Sequence, residues 1–133
     1  SAVEASAAYL TKAAAATGAV KMDSGIVYTE TTAGTGASPT ASDRVKVHYR
    51  GTLIDGTEFD SSYARNEPAE FPLGGVIRCW TEGVQRMKVG GKARLVCPSD
   101  LAYGDRGNPA IPGGAALVSE PELLEIIAGP PAN

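Results

Sequence analysis

The sequence predicts an α+β domain in which an antiparallel sheet wraps over one short helix. Short β-type segments, separated by Gly, Pro, Asn and Asp, follow one another from residue 25 onward. One internal segment, residues 76–91, instead has apolar residues at helical spacing. About five or six strands and one internal helix follow from these observations, and a helix-forming segment precedes them.

The chain of 133 residues has the size of one globular domain. It is 43% hydrophobic and 20% charged, and a chain of this length buries enough surface to fold without a disulfide or a structural metal. It begins at Ser1, without Met and without a charged and apolar leader, so we expect a processed or excised fragment.

The N-terminal segment is rich in Ala, the strongest helix former, and reaches Gly18, which suits a helix C-terminus. Its apolar face is thin, and a helix of this length is marginal in water unless it packs on something. We therefore favour the end of a longer linker helix over a helix docked on the domain. The predicted organisation is an N-terminal helix (1–18), the domain (19–128) and a C-terminal tail (129–133).

The clearest strand is RVKVHYRGTLI, residues 44–54, in which apolar and polar residues alternate. Asp55-Gly56 follows as a hairpin signal and returns the chain into TEFDSS. An earlier strand is predicted at residues 25–32, and Gly, Ser and Pro indicate a loop at residues 33–43.

The second half of the domain contains the internal helix. Ile77, Trp80, Val84 and Met87 recur at steps of three and four residues, and Gly90-Gly91 ends the run. Before it lie a polar loop and a short extended piece; after it lie a strand, a long loop and a closing strand. These are, in order, residues 62–70, 71–73, 92–98, 99–115 and 116–127.

Several function classes are poorly supported. His48 is the only histidine and lies on the polar face of its strand, so neither a metal site nor a Ser or Cys nucleophile has a positioned partner. The net charge of −3, with scattered Lys and Arg, disfavours a nucleic-acid partner. The longest apolar runs are about four residues, far short of the roughly 20 that a membrane span needs.

Large apolar and aromatic side chains cluster near the predicted loops. Any one of them, taken alone, is explained more simply as part of the core. Trp80, however, lies at the start of a helix that faces a sheet, and it is equally compatible with the floor of a pocket walled by Tyr49 and Phe59. Periodicity does not decide between these two interpretations.

Three segments, in their order and spacing, resemble the FK506-binding protein family of peptidyl-prolyl cis-trans isomerases. They are VKVHYRGTLIDGTEFDSS (45–62), FPLGGVIRCWTEGVQRMKVGGKARLVCPSDLAYG (71–104) and LVSEPELLEI (117–126). The resemblance covers about residues 25–128 and implies a twisted half-barrel around a short helix. The chain is most similar to the bacterial macrophage infectivity potentiator-type branch, in which an Ala- and Lys-rich helix leads back to an N-terminal dimerisation region.

The resemblance implies a pocket for proline and places residues in it one by one. The residues expected to act in catalysis are Tyr49, Asp60, Ile77, Trp80 and Tyr103. The residues expected to contact substrate are Phe59, Arg65, Phe71, Val76 and Ile111. Tyr103 and the backbone N–H of Ile77 are the expected donors to substrate carbonyls, and Arg65 is expected to contact the pocket aspartate and tyrosine. No metal or cofactor is implied.

The last strand departs from the family pattern of Val-Phe-Asp or Glu-Val at two positions. Ser119 is expected to remove an aromatic wall of the pocket. Pro121 is expected to delete a hydrogen-bond donor in an interior strand, where proline is normally avoided.

The function implied by the resemblance is cis-trans isomerisation of X-Pro bonds in unfolded or partly folded proteins, with the macrolides FK506 and rapamycin as inhibitors. We expect no nucleic-acid partner and no membrane span, and the resemblance allows a dimer through an N-terminal region that is missing from this chain. The alternative is a non-catalytic binding module or holdase that uses the same groove. A purely structural domain would leave the pocket aromatics without a purpose.

The two cysteines bear on localisation. Cys79 lies at the start of the predicted helix and Cys97 at the end of a strand, so both a disulfide and two free thiols remain open. A disulfide would fit an oxidising compartment. Together with the resemblance, this predicts the bacterial periplasm or the outer-membrane surface.

Overall fold

The computed structural model describes residues 1–127, so the predicted tail at 129–133 lies outside the described residues. The helices are α1 (Ala2–Ala14) and α2 (Arg78–Val84). The strands are β1 (Ala19–Lys21), β2 (Val27–Thr32), β3 (Arg44–Leu53), β4 (Glu58–Ser61), β5 (Ala69–Pro72), β6 (Lys92–Cys97) and β7 (Leu117–Ile127). Short 3-10 turns occupy Leu73–Gly75 and Ser99–Leu101. None of the described helices is long and apolar enough to cross a membrane.

The strands form one antiparallel sheet, which confirms the predicted α+β class. Their order is β1-β2-β6-β7-β3-β4, and β5 also pairs with β3. The sheet has seven strands where five or six were expected; the short β1 was not predicted. Helix α2 packs on the sheet at close range, since a Cβ atom on Gly83 would lie 2.8 Å from Leu95 Cδ1.

Strand β3 follows the predicted alternation in its first part but not at its end, where Thr52, expected on the polar face, is buried next to the buried Gly51. Val45 and Val47 are fully buried, while Arg44 and Arg50 are exposed. The hairpin that follows forms at Asp55-Gly56, where Gly56 has a φ of 92° and the Asp55 carboxylate accepts from the Thr57 N–H at 2.9 Å.

Helix α2 ends earlier than its periodicity predicts. The run was expected to continue to Gly90, but the helix stops at Val84, and the Met87 N–H bonds the Val84 carbonyl in a tighter three-residue step. The Val89 N–H then donates to the Ala37 carbonyl at 3.0 Å. A contact with a distant loop therefore replaces the last helical turn, while Val84 and Met87 remain buried.

Pro121 fits inside β7 because neither neighbouring strand needs its missing donor. It lies opposite Tyr49 of β3, whose N–H and carbonyl both bond Ser62 instead, at 2.7 and 3.0 Å. Opposite residues in an antiparallel pair exchange both bonds or neither, so Tyr49 and Pro121 form a non-hydrogen-bonded pair. On the other side, the β6–β7 pairing is interrupted at Glu120 and Pro121 and resumes at Glu122.

Helix α1 is docked on the sheet, the arrangement that the sequence analysis disfavoured. The Ser6 hydroxyl is buried and accepts the N–H of Ala116 at 2.8 Å. The Arg94 guanidinium of β6 donates to the Tyr9 hydroxyl at 2.6 Å. These polar contacts add to the burial that a thin apolar face cannot supply alone; that α1 is the end of a longer helix stays a prediction.

A disulfide joins α2 to β6. Cys79 and Cys97 are bonded, their Cα atoms lie 5.7 Å apart, and both side chains are fully buried. The bond attaches the first turn of α2 to the sheet directly beside Trp80.

Candidate active site

A cleft of about 350 Å³ opens between α2 and the sheet. Residues from β3, β4, β5, β7, α2, the segment between β5 and α2, and the loop after β6 line it. They are Tyr49, Gly51, Phe59, Asp60, Ala69, Phe71, Gly75, Val76, Ile77, Trp80, Tyr103, Leu117 and Ser119. Most of the lining is apolar, as expected of a site that binds a small apolar group.

Trp80 forms the floor of the cleft. Its side chain is 7% exposed, and its ring meets Tyr49 edge to face with centroids 4.9 Å apart. Phe71 packs against it at a tilt, with a centroid distance of 5.4 Å. Such aromatic pairs hold one another in a preferred geometry, so the floor is assembled before any ligand arrives. The sequence alone did not decide whether Trp80 is a core residue or the floor of a pocket. In the structure it is both, since it packs in the hydrophobic core and lines the cleft.

One polar group of three side chains lies at the edge of the cleft. The Tyr49 hydroxyl and the Arg65 guanidinium both donate to the Asp60 carboxylate. Arg65 also donates to the Tyr49 hydroxyl at 3.0 Å. Both oxygens of the Asp60 carboxylate thereby accept a hydrogen bond, one from each partner, which keeps the carboxylate in one orientation.

This group shifts the pKa values of its members. Burial alone would raise the pKa of Asp60, but the hydrogen bonds from Tyr49 and Arg65 outweigh it and lower the pKa below the ordinary value of 3.8. Burial and the hydrogen bond to Asp60 raise the pKa of Tyr49. At neutral pH the group therefore consists of a carboxylate, a neutral phenol and a guanidinium.

Two hydrogen-bond donors remain available to a ligand. The Ile77 N–H precedes the first turn of α2, and the Tyr103 hydroxyl lies at the rim, where its side chain is 39% exposed. Within residues 1–127 neither donor has a protein acceptor. Both belong to residues that line the cleft, so both are open to a hydrogen-bond acceptor on a bound ligand.

Most of the residues expected in the pocket line the cleft, Phe59 among them. The Phe59 ring covers Gly51, where a Cβ atom would lie 2.7 Å from the ring. Two of the expected residues, Arg65 and Ile111, do not line the cleft. Arg65 is exposed and acts on the cleft only through Asp60 and Tyr49. Ile111 is 2% exposed in the hydrophobic core and is not among the lining residues.

Sequence reasoning missed the role of Ser119. It was expected only to remove a wall, yet the Trp80 indole N–H donates to its hydroxyl at 3.1 Å, and Ser119 is 2% exposed. A signal was present, since a buried Trp normally needs an acceptor for its N–H. The remaining small lining residues, Gly51, Ala69 and Gly75, leave no periodic pattern in the sequence.

The comparison with protein families decides what kind of domain this is. The model of the family described as FKBP-type peptidyl-prolyl cis-trans isomerase matches residues 36–124. The chain belongs to the FKBP-type peptidyl-prolyl cis-trans isomerase family. The matched segment begins before β3 and ends within β7, so it contains every residue that lines the cleft.

Individual relatives agree with the FKBP-type assignment. The FKBP-type peptidyl-prolyl cis-trans isomerase FkpA of Aeromonas hydrophila is 54% identical over 118 residues, which are 89% of this chain and 44% of that protein. The peptidyl-prolyl cis-trans isomerase Mip of Coxiella burnetii is 43% identical over 92% of this chain and 54% of its own length. The crystal structure of FkpA from Escherichia coli superposes with a TM-score of 0.93 at 48% identity, covering 96% of this chain and 61% of that one.

These FKBP-type relatives confirm the predicted family and its bacterial branch. The chain spans about half the length of the curated relatives that it matches. What the remaining half of a relative contributes is therefore a separate matter from the cleft described above.

Proposed function

We propose that this domain is a peptidyl-prolyl cis-trans isomerase that accelerates rotation about X-Pro bonds in unfolded or partly folded proteins. The observation that carries the proposal is the apolar cleft over Trp80, with donors at Ile77 and Tyr103 that have no acceptor within residues 1–127. The family assignment supports the same activity.

The physical demand of the reaction matches such a cleft. Rotation about an amide bond has a barrier of about 18–20 kcal/mol because resonance keeps the bond planar, and uncatalysed X-Pro exchange takes tens to hundreds of seconds. An apolar cleft strips water from the amide carbonyl, which favours the less polar, twisted transition state. No nucleophile is needed, because no covalent bond breaks.

The cleft residues divide the work between apolar contact and hydrogen bonding. Trp80, Phe71 and the half-buried Val76 and Ile77 receive the prolyl ring. The Ile77 N–H and the Tyr103 hydroxyl donate to the carbonyls that flank the rotating bond. These donors contribute to catalysis to the extent that they bind the twisted amide more tightly than the planar one.

The polar group at the edge of the cleft orients the site. Asp60 is held by Tyr49 and Arg65, so its charge stays fixed beside the amide as the bond turns. A fixed charge needs no reorganisation during the reaction, which is the usual source of electrostatic catalysis.

The same proposal extends to ligands, location and assembly. FK506 and rapamycin would occupy the prolyl cleft and compete with substrate. The fully buried disulfide suits the bacterial periplasm or outer-membrane surface, since disulfides persist in oxidising compartments. A dimer would form through an N-terminal region joined to α1, and no nucleic-acid partner is proposed.

The alternative is a binding module or holdase that uses the cleft without accelerating rotation. Ser119 favours it, because its small side chain leaves one side of the cleft more open than a ring would. A looser cleft binds planar and twisted amides with more similar affinity, which lowers catalysis without abolishing binding.

The test is the isomerisation rate of an X-Pro tetrapeptide in a protease-coupled assay, with and without FK506. Acceleration that FK506 inhibits is expected. Trp80→Ala and Asp60→Ala should each lower kcat/KM in folded protein, whereas Asp23→Ala, an exposed acid outside the cleft, should not. A folded wild-type sample without acceleration would reject the isomerase and leave the holdase, which an aggregation assay then measures.

A further inference from the structure

Within residues 1–127, the one hydrogen bond of the Trp80 indole is to Ser119. The indole N–H donates to the Ser119 hydroxyl at 3.1 Å, and the two side chains are 7% and 2% exposed. The ring meets Tyr49 and Phe71 only through aromatic surfaces. Those surfaces fix where the ring lies, but a hydrogen bond to a single atom also fixes how the ring is turned within its own plane.

The sheet holds Ser119 in a defined place. It lies in β7, paired with Gly51 of β3 on one side and with Leu95 of β6 on the other. Leu95 is fully buried beneath α2, and Gly51 is covered by Phe59. A residue in the middle strand of a paired sheet has little freedom, so its hydroxyl is a fixed point for the indole.

The small size of Ser119 matters as well. A large side chain at this position would point into the cleft, which Ser119 lines. Serine supplies an acceptor with one heavy atom beyond Cβ, so the acceptor and the open space come from the same residue. A buried donor that loses its acceptor carries an uncompensated desolvation cost. Removal of the hydroxyl therefore favours a rotation of the indole that gives its N–H another partner.

We propose that Ser119 is a positioning residue of the cleft, whose hydroxyl sets the orientation of the Trp80 ring on which the prolyl group rests. The inference deepens the proposed function and depends on it for the catalytic consequence. The positioning itself is a property of the free protein and is measured without substrate.

The experiment compares Ser119→Ala with a pair of nearly equal shape, Ser119→Thr and Ser119→Val. Threonine keeps the hydroxyl and valine lacks it, so this pair decides the question even if the alanine variant folds poorly. Thr52→Val is the control, because Thr52 is a buried hydroxyl paired with Val118, next to Ser119 in sequence, and the Trp80 indole donates to Ser119 and not to Thr52.

The readouts are the indole N–H resonance in a ¹H–¹⁵N spectrum and kcat/KM for an X-Pro peptide. Trp80 is the only tryptophan, so one indole signal reports on one ring. Ser119→Ala and Ser119→Val should move this signal and lower kcat/KM by about fivefold, the change that corresponds to one net hydrogen bond. Ser119→Thr should keep the signal near its wild-type position, and Thr52→Val should change neither readout.

An unmoved indole signal in Ser119→Val would overturn the proposal, as would equal effects of Ser119→Val and Thr52→Val on both readouts. If the wild type shows no isomerase activity, the proposed function fails, and the indole signal alone then decides whether Ser119 positions the ring. A moved signal with unchanged kcat/KM would also overturn the proposal, because the orientation would then have no catalytic consequence.

Discussion

Opening the Cys79–Cys97 disulfide is expected to lower the free energy of unfolding by about 3 kcal/mol. The bond closes a loop with a sequence separation of 18 residues. For a loop of that length, the chain-entropy relation gives a loss of roughly 11 cal/mol/K from the unfolded ensemble, which is about 3 kcal/mol at 25 °C. In a domain of this size the change corresponds to a fall in Tm of about 10 °C.

The assay is equilibrium urea unfolding of oxidised and reduced wild-type protein. Both sulfurs are fully buried, so the reduced sample is prepared by unfolding in reductant and refolding with reductant present. The reduced protein keeps both sulfur atoms, which separates the effect of the cross-link from the loss of packing in Cys79→Ala/Cys97→Ala. The m-value should rise on reduction, because the unfolded chain exposes more surface without the cross-link.

Identical urea midpoints and m-values for the oxidised and reduced protein would refute this reasoning. The bond, which attaches the first turn of α2 to β6, would then make no net contribution to the free energy of unfolding, so a cost in the folded state would have to cancel the entropy lost from the unfolded chain.

Two further predictions concern single hydrogen-bonded groups. Because the folded-state pKa of Asp60 is lowered, its contribution to stability is fully present above the ordinary value of 3.8 and is lost as the pH falls through the lowered value. NMR titration of the carboxyl should show the lowered pKa, and Asp60→Asn should remove this pH dependence of stability. An Asp60 carboxyl that titrates at or above 3.8 would contradict the prediction. Ser6→Ala should cost about 1–3 kcal/mol by leaving the buried Ala116 N–H unpaired. The exposed Thr11→Ala on the same helix is the control for urea unfolding, and equal losses in the two variants would rule out that explanation.

The parts of the fold that local sequence determines were predicted well. Strand β3 alternates with the period of a half-buried strand, and Asp55-Gly56 encodes its own turn. The last turn of α2 was predicted wrongly because the residues after Val84 keep apolar spacing while the Val89 N–H bonds a loop about fifty residues earlier in the chain. Strand β1, with three residues, is too short to show any period.

The site was less accessible to sequence reasoning than the fold. The identity of its aromatic residues came from the resemblance, because a buried Trp in a core and a Trp under a cleft have the same spacing. The bond between Trp80 and Ser119 joins residues 39 positions apart, and only the pairing of β7 with its neighbours brings them together. The sequence also does not show that Pro121 fits an interior strand, because its place in a non-hydrogen-bonded pair with Tyr49 depends on the register between β7 and β3.

The order of the strands has a consequence for how the chain is made. Strand β7 is the last described strand along the chain, yet it lies between β6 and β3 in the middle of the sheet. A nascent chain that has emerged only as far as residue 116 holds two separate groups of strands, β1-β2-β6 and β3-β4-β5, with nothing to join them. The cleft needs both groups together with Leu117 and Ser119 of β7. The cleft can therefore form only after this strand has left the ribosome.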